Sequence, residues 1–143
     1  MIRNKIIRAL LNLFFGNKKV QHILIKQEVI DNIIEFAKTN HPKEFIAFLG
    51  GEIKNNNLLI THLIYQQYYP STRSVFTRIN LPITSQAFGS VHSHPSPNNE
   101  PSREDLLFFG KNGWIHLIIK YPYRVEDIAA YDYKGNKIDF EIY

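Results

Sequence analysis

Residues 91–105 of the chain read Val91-His92-Ser93-His94-Pro95-Ser96-Pro97-Asn98-Asn99-Glu100-Pro101-Ser102-Arg103-Glu104-Asp105. The mostly apolar residues just before this stretch predict a strand. Successive side chains of a strand point to opposite faces, so His92 and His94 are expected on the same side. Pro95 and Pro97 cannot continue a central strand, so the strand is expected to end after His94. The stretch therefore predicts two imidazoles at the end of a strand.

A helix is predicted directly after this proline-punctuated loop. Ser102 suits the N-cap position and Asp105 then falls at position N3, with an apolar run following. The loop is short enough to bring the Asp105 carboxylate to the two imidazoles. Two nitrogens and one carboxylate oxygen are a ligand set of catalytic zinc sites, in which water takes the fourth position. The helix N-terminus also favours the ionised form of Asp105 that a ligand requires.

Each half of this pattern also has a purely structural explanation. A Ser-x-x-Asp sequence is a variant of the capping box, which accounts for Ser102 and Asp105 without any chemistry. The His-x-His sequence could be two exposed residues at the end of a strand. Because both halves occur together, in this order and at this spacing, we favour a metal site.

The pattern resembles the signature of the JAMM (MPN+) zinc metalloprotease family, which contains deubiquitinase-like isopeptidases of archaeal and bacterial type. That signature is His-x-His, seven residues, Ser, two residues and Asp, with a glutamate well upstream. Seven residues separate His94 from Ser102 here, and Glu44 in the segment 41–51 is similar to the upstream glutamate. The resemblance covers roughly Gln27 to Tyr121, which is most of the chain.

This resemblance implies a role for each residue of the site. His92, His94 and Asp105 would bind one Zn²⁺ ion per chain, and Glu44 would be the general base that activates a water molecule. The Ser102 hydroxyl would steady the oxyanion, a role that competes with helix capping for one side chain. The implied substrate is the amide that joins the C-terminal Gly-Gly of a ubiquitin-like or sulfur-carrier protein to a lysine or another amine.

The bulk composition fits a single domain. The chain has 143 residues, of which 44% are hydrophobic, and it contains no cysteine. This length is enough for one hydrophobic core. Without cysteine there is no disulfide framework, no thiolate nucleophile and no thiolate metal ligand, so a metal must be held by His, Asp or Glu.

Positive charge is concentrated at the N-terminus. The net charge is +4, but residues 1–27 carry six basic and no acidic groups, whereas the remaining residues carry 11 basic and 13 acidic groups. The body of the protein therefore has a net charge of −2, which argues against a nucleic-acid-binding surface there.

We divide the chain into an amphipathic, basic arm at 1–21 and a catalytic domain at 22–143. Residues 1–16 carry an apolar stripe at helical spacing that is interrupted by basic residues. They are too few and too charged to span a bilayer. Three hypotheses remain open for this segment: a helix that packs on the domain or on a second protomer, a basic helix at a membrane surface, or a secretory signal. We expect a cytoplasmic protein, with the arm as a peripheral membrane or homodimer contact.

The hydrophobic pattern predicts an α/β or α+β protein with a mixed sheet and few helices. Besides the two elements around the histidines, we predict a helix over 26–40, a hairpin turn over 55–57, a polar aromatic loop over 66–74, and strands over 22–25, 44–53, 58–65, 75–79, 114–120, 127–133 and 138–143. The family resemblance implies a cytidine-deaminase-like fold with a curved sheet packed between helices, and the two expectations agree.

The other histidines are weaker candidates. His116 lies in an apolar run, where a sheet histidine is expected, and His22, His41 and His62 have no ligand partner at a useful spacing. The resemblance implies that the tyrosine-rich region around 68–76 helps to hold an extended peptide tail by strand addition, although such a loop can also be plain surface.

Three alternative functions remain open from the sequence. The first is a non-catalytic MPN scaffold or interaction module, although this chain keeps every position of the ligand set. The second is a RadC-like protein, whose association with DNA would predict a basic body. The third is a membrane-tethered peptidase, in which the N-terminal arm fixes the location and the chemistry is unchanged.

Overall fold

A computed structural model describes residues 20–65 and 87–143. In chain order the elements are β1 His22–Ile25, α1 Gln27–Asn40, β2 Ile46–Lys54, β3 Asn57–Ile64, β4 Ala87–His94, α2 Arg103–Phe109, β5 Ile115–Lys120, a 3₁₀ turn Val125–Asp127, β6 Ile128–Asp132, β7 Lys137–Ile138 and β8 Glu141–Ile142. The predicted α+β class is confirmed. The predicted N-terminal helix in 1–16, the loop 66–74 and the strand 75–79 lie outside the described residues.

The described strands form one mixed sheet in the order β7-β6-β5-β4-β2-β3-β1-β8. The pairs β4–β5, β1–β3 and β1–β8 are parallel, and the other neighbours are antiparallel. The strands β7 and β8 lie at opposite edges, yet only two residues separate them in the chain. Such a connection can span at most about 11 Å. The sheet must therefore curl until its two edges come close together.

The predicted single strand over 138–143 is wrong. Strand β7 stops at Ile138, and the chain then leaves β6 to pair with β1 at the other edge. There Tyr143 donates its amide to the Ile25 carbonyl at 3.1 Å. Phe140, between the two short strands, packs against the main core. Burying this ring and covering the β1 edge explain why the chain does not continue along β6. Strand β6 is also shorter than predicted, because Asp127 belongs to the 3₁₀ turn.

The two described helices cover opposite faces of the sheet. Helix α1 packs on one face with the main core, through residues that are all fully or nearly fully buried: Val29, Ile30, Ile33 and Ala37. Helix α2 covers the other face, where Phe108 and Phe109 pack on Ile46, Phe48 and Ile118. The sheet between two helices agrees with the fold implied by the resemblance. Within the residues that the structure describes, no helix is long and apolar enough to cross a membrane.

Two local features help to fix the strand register, one in the β2–β3 turn and one between β4 and β5. Asn55 and Asn56 adopt φ values of 52° and 64° in the tight β2–β3 turn, a left-handed conformation that asparagine tolerates. Gly89 pairs with Ile115, and a Cβ at Gly89 would overlap the Ile115 carbonyl oxygen. This glycine therefore permits the close approach of β4 and β5 at the start of the strand that carries the histidines.

Candidate metal centre

Strand β4 places both histidines on the face that α2 covers. His92 lies in register with Ile46 of β2 and with Ile118 of β5, and its side chain is fully buried. His94 is the last residue of β4, and its side chain is 14% exposed. The strand ends where the prolines begin, as the sequence predicts.

Helix α2 carries the third candidate ligand, the carboxylate of Asp105. Ser102 is its N-cap, and the Ser102 hydroxyl accepts a hydrogen bond from the Asp105 amide at 3.1 Å. In return, Oδ2 of Asp105 accepts from the Ser102 amide at 2.8 Å. This reciprocal capping box orients the buried carboxylate toward the end of β4.

Three potential ligand atoms converge at this point. Nε2 of His92 lies 3.1 Å from Oδ1 of Asp105, and Nε2 of His94 lies 3.3 Å from Oδ2. The two Nε2 atoms are 3.0 Å apart, and one ligand atom from each of the three residues falls within 4.8 Å of the others. Two imidazole nitrogens and a carboxylate oxygen are a donor set that suits zinc. The capping box of Ser102 and Asp105 therefore forms part of the cluster, and its structural role does not argue against a metal site.

The charge state of Asp105 suits a metal ligand, whereas a metal ion at His94 would have to compete with a proton. Burial opposes ionisation of Asp105, but hydrogen bonds to His92 and His94 outweigh it and hold the pKa of the carboxyl well below its usual range. Burial also opposes a charge on His94, yet the Asp105 carboxylate and the more remote charge of Glu44 raise the pKa of that ring. The Nδ1 atom of His94 donates to the Asn98 carbonyl at 2.8 Å, because a carbonyl can only accept. In the neutral ring, Nε2 therefore carries a lone pair toward the cluster.

Glu44 is brought to the cluster by the pairing of β2 with β4. The Phe45 amide donates to the Ser93 hydroxyl at 2.8 Å, and the Ser93 amide donates to the Phe45 carbonyl at 3.0 Å. Glu44, one residue earlier, is half-buried and comes opposite His94 on the same face. The charge of Glu44 contributes to the raised pKa of His94, which agrees with this position. The predicted site residues thus come together, and their chemical roles stay predictions.

The sequence did not point to Ser93 as part of the site. Its hydroxyl is buried on the α1 face and ties the segment with Glu44 to β4. The signal for it in the sequence is a small hydroxyl residue at the spacer position of His-x-His, where the other neighbours on that face are apolar.

A second unpredicted feature is an aromatic group beside Glu44. Nδ1 of His41 lies 2.7 Å from the hydroxyl of Tyr123, and the His41 ring stacks on Tyr121 with 5.1 Å between ring centroids. Burial, together with the neighbouring Tyr121 and Glu44, raises the pKa of Tyr123. His41 therefore has a hydrogen-bonding role outside the ligand cluster.

His116 is a buried sheet histidine, as expected. Its Nδ1 lies 2.8 Å from the Ser90 hydroxyl and its Nε2 lies 3.3 Å from the Gly113 carbonyl. The ring stacks on Phe109 of α2 at 4.2 Å with an interplanar angle of 9°. Burial lowers the pKa of His116 to about 3, so the ring is neutral at ordinary pH. It supports α2 beneath the cluster without joining it.

The chain matches a known protein family over most of its length. The family model of prokaryotic homologues of the JAB domain matches residues 26–132. The chain belongs to the JAMM/MPN family. This membership confirms the resemblance drawn from the His-x-His, Ser and Asp spacing.

Relatives and solved structures agree with the JAMM/MPN assignment. The chain is 29% identical over 130 residues to a probable metalloprotease of Haloferax volcanii, with 82% of this chain and 78% of the relative covered. It is 35% identical to a structure described as a JAMM metalloprotease-like zinc site in the proteasome and signalosome, with a TM-score of 0.67 and coverage of 86% and 99%. It is 33% identical to a JAB1/MPN domain protein from Archaeoglobus fulgidus, with a TM-score of 0.68 and coverage of 86% and 98%. The curved sheet is thus the JAB/MPN fold.

Proposed function

We propose that this protein is a zinc-dependent metallopeptidase that hydrolyses isopeptide or peptide bonds at the C-terminal tail of a ubiquitin-like or sulfur-carrier protein. The observation that carries the proposal is the convergence of His92, His94 and Asp105, whose potential ligand atoms lie within 4.8 Å of one another. The relation to a probable metalloprotease supports a hydrolase. The substrate class rests on the resemblance to the family and is the finer part of the proposal.

His92, His94 and Asp105 would hold the metal ion. The two imidazoles would bind through Nε2, and the ionised Asp105 would supply an oxygen and one compensating negative charge. A bound zinc ion supplies Lewis acidity, which polarises a substrate carbonyl and makes water a stronger acid. His92 and Asp105 are buried, whereas the side chain of His94 is 14% exposed, so water can reach the cluster from the side of His94.

Glu44 would transfer a proton from the attacking water to the leaving amine. Its carboxylate accepts a proton from the attacking water as the oxygen bonds to the amide carbon. The same carboxylate then donates that proton to the nitrogen as the C–N bond breaks, so the products are a carboxylic acid and an amine. A group that serves in turn as base and acid in this way contributes roughly 10²–10⁴-fold to the rate.

Ser102 can serve the helix and the substrate together. The capping bond uses a lone pair of the hydroxyl oxygen, because the Asp105 amide is the donor. The hydroxyl proton can then donate to a developing oxyanion, a role worth about 3 kcal/mol in other hydrolases. The competition expected from the sequence is thereby relieved, since each role uses a different part of the hydroxyl. Ser102 is also exposed, as a residue that contacts substrate must be.

The alternative of a non-catalytic scaffold has less to support it. Such a protein needs neither three converging ligand groups nor an adjacent carboxylate. No specific observation on the described residues favours a RadC-like role over the peptidase.

The proposal is tested by Glu44→Gln in the full chain. Zinc content is measured by mass spectrometry, and hydrolysis is measured on a ubiquitin-like protein linked through its C-terminal Gly-Gly to a lysine. We expect about one zinc per chain in both proteins and a loss of at least about 100-fold in rate for the variant. The matched control is Glu52→Gln, which removes an exposed acid from β2, the strand that follows Glu44.

Each outcome has a distinct meaning. An active Glu44→Gln variant with zinc bound would remove Glu44 as the base. The His92→Ala, His94→Ala double variant should take up no zinc on titration. If the wild-type chain behaves in the same way, the scaffold hypothesis is favoured. Full zinc occupancy without hydrolysis of any ubiquitin-like substrate would overturn the substrate class alone.

A further inference from the structure

The two histidines of the cluster are held in different ways. His92 lies inside β4 between two neighbouring strands, and its fully buried ring packs near Phe109 of α2. His94 ends the strand and is partly exposed. Its orientation must therefore depend on contacts outside the sheet.

One backbone carbonyl orients the His94 ring. Nδ1 of His94 donates to the Asn98 carbonyl at 2.8 Å, which leaves the lone pair of Nε2 directed at Asp105. If this bond were lost, the proton could move to Nε2, and a protonated Nε2 cannot bind a metal ion. The position of the Asn98 carbonyl thus selects the tautomer that a ligand needs.

The Asn98 carbonyl belongs to the loop 95–101, which has no helix or strand of its own. The next residue, Asn99, is held at two points. Its side-chain amide donates to the Asp127 carbonyl at 3.0 Å, and its own carbonyl accepts from the Tyr131 hydroxyl at 2.8 Å. These two bonds hold Asn99, the residue that follows the Asn98 carbonyl, against β6 and the turn before it.

Asp127 and Tyr131, the two residues that hold Asn99, are themselves held by further contacts. Asp127 is buried, and its carboxylate accepts from the backbone amide and from Nε of Arg124, both at 2.9 Å. Tyr131 is buried in β6, and its ring stacks on Phe109 with 6.3 Å between centroids. Phe109 lies one helical turn after Asp105 in α2. Tyr131 therefore contacts the His94 loop with its hydroxyl and the Asp105 helix with its ring.

We propose that Asn99 and Tyr131 are positioning residues that fix the orientation and tautomer of His94 for metal binding. The inference rests on the proposed function only in taking the cluster to bind zinc. Neither residue lies in the ligand cluster, so both would act through the Asn98 carbonyl. Losing an outer partner of a ligating histidine typically weakens metal binding by 10–100-fold.

The test compares the zinc affinity of matched variants by competition with a chromophoric chelator. Asn99→Ala removes the side-chain anchor, and Tyr131→Phe removes only the hydroxyl while keeping the ring on Phe109. The control for the first is Asn112→Ala, which loses a similar bond to the Phe108 carbonyl at the far end of α2. The control for the second is Tyr65→Phe, an exposed tyrosine. We expect roughly tenfold weaker zinc binding in the two positioning variants only.

A second readout does not need metal. Nitrogen-15 NMR of the metal-free protein at alkaline pH distinguishes a histidine protonated on Nδ1 from one protonated on Nε2. We expect the Nδ1–H form of His94 in the wild type and a mixture in Asn99→Ala. If the wild type binds no zinc, the proposed function fails and this readout alone decides the inference. Three outcomes would overturn the inference. The first is unchanged zinc affinity in both positioning variants, and the second is an equal loss of affinity in their controls. The third is an unchanged His94 tautomer in Asn99→Ala.

Discussion

Ser102 and Asp105 hold each other by two reciprocal hydrogen bonds, and the Asp105 oxygen that accepts from the Ser102 amide also faces His94. That oxygen, Oδ2, lies 2.8 Å from the Ser102 amide nitrogen and 3.3 Å from Nε2 of His94. The capping box thus sets the rotamer of the carboxylate in the cluster. A motif with an ordinary structural explanation therefore also builds the candidate metal site.

Asp105→Asn should separate these two functions of the carboxylate. The amide oxygen of asparagine can still accept from Ser102, so the helix start should survive, whereas the negative charge of the ligand is lost. We expect zinc affinity to fall by more than 100-fold, beyond the range for outer partners. The metal-free Asn variant should remain about 1 kcal/mol more stable than Asp105→Ala, which also loses the capping bond. Zinc titration and denaturant unfolding check both parts; zinc binding at wild-type strength by Asp105→Asn would contradict the assignment.

Variants of Ser102 should separate the cap from the substrate contact. Ser102→Gly has no hydroxyl proton to donate, but glycine is tolerated at an N-cap at a cost of a few tenths of a kcal/mol, so the variant should fold with near wild-type stability and lose about 100-fold in kcat. Ser102→Ala should lose the same activity and also about 1 kcal/mol of unfolding free energy. Ser102→Thr, which keeps both functions, is the control. Wild-type kcat in Ser102→Gly would show that the hydroxyl proton has no role.

The cluster could be predicted from the sequence because its determinants are local. Strand alternation places His92 and His94 on one face, and the N-cap spacing sets Asp105 one turn into α2. The seven-residue loop between them limits how far apart they can lie. Each of these rules acts over fewer than about ten residues, so a pattern in the sequence carries them.

The remaining parts of the site depend on contacts that no local pattern encodes. Phe45 and Ser93 meet across 48 residues and Tyr131 and Asn99 across 32. Such contacts follow from strand order and register, which the apolar alternation of each strand leaves open. The same limit explains the error at the C-terminus, where the pattern predicts extended chain but cannot predict that β8 pairs with β1.

Ser93→Ala should affect the proposed base without affecting the metal. The variant leaves the buried Phe45 amide without its acceptor, which should cost about 1–3 kcal/mol of unfolding free energy and loosen the segment that carries Glu44. We expect a lower kcat with unchanged zinc affinity. Thr39→Ala, which loses an exposed hydroxyl bond on α1, is the control and should change neither quantity. A loss of zinc affinity in parallel with kcat would mean that Ser93 supports the ligands instead.

His116 should make the metal-free protein sensitive to acid. Burial lowers the pKa of His116 from 6.5 to about 3 in the folded protein, so between these values the unfolded chain binds more protons than the folded one. The unfolding free energy should therefore fall as the pH drops below 6.5, with a slope that approaches about 1.4 kcal/mol per pH unit. The lowered pKa values of Asp105 and Asp127 remove stability only near and below the ordinary carboxyl value of 3.8. The raised pKa of His94 gives no slope in this window, because that ring is protonated in both states there.

The measurement is denaturant unfolding with a metal chelator between pH 6.5 and the carboxyl range. His116→Gln can still donate to the Gly113 carbonyl but does not titrate, so its stability should be nearly independent of pH over this interval. His62→Gln removes an exposed histidine from β3 and should keep the wild-type slope. Equal slopes in the wild type and in His116→Gln would mean that the ring is not held neutral. The Ser90–His116 contact beneath α2 would then have to accommodate a charged imidazole.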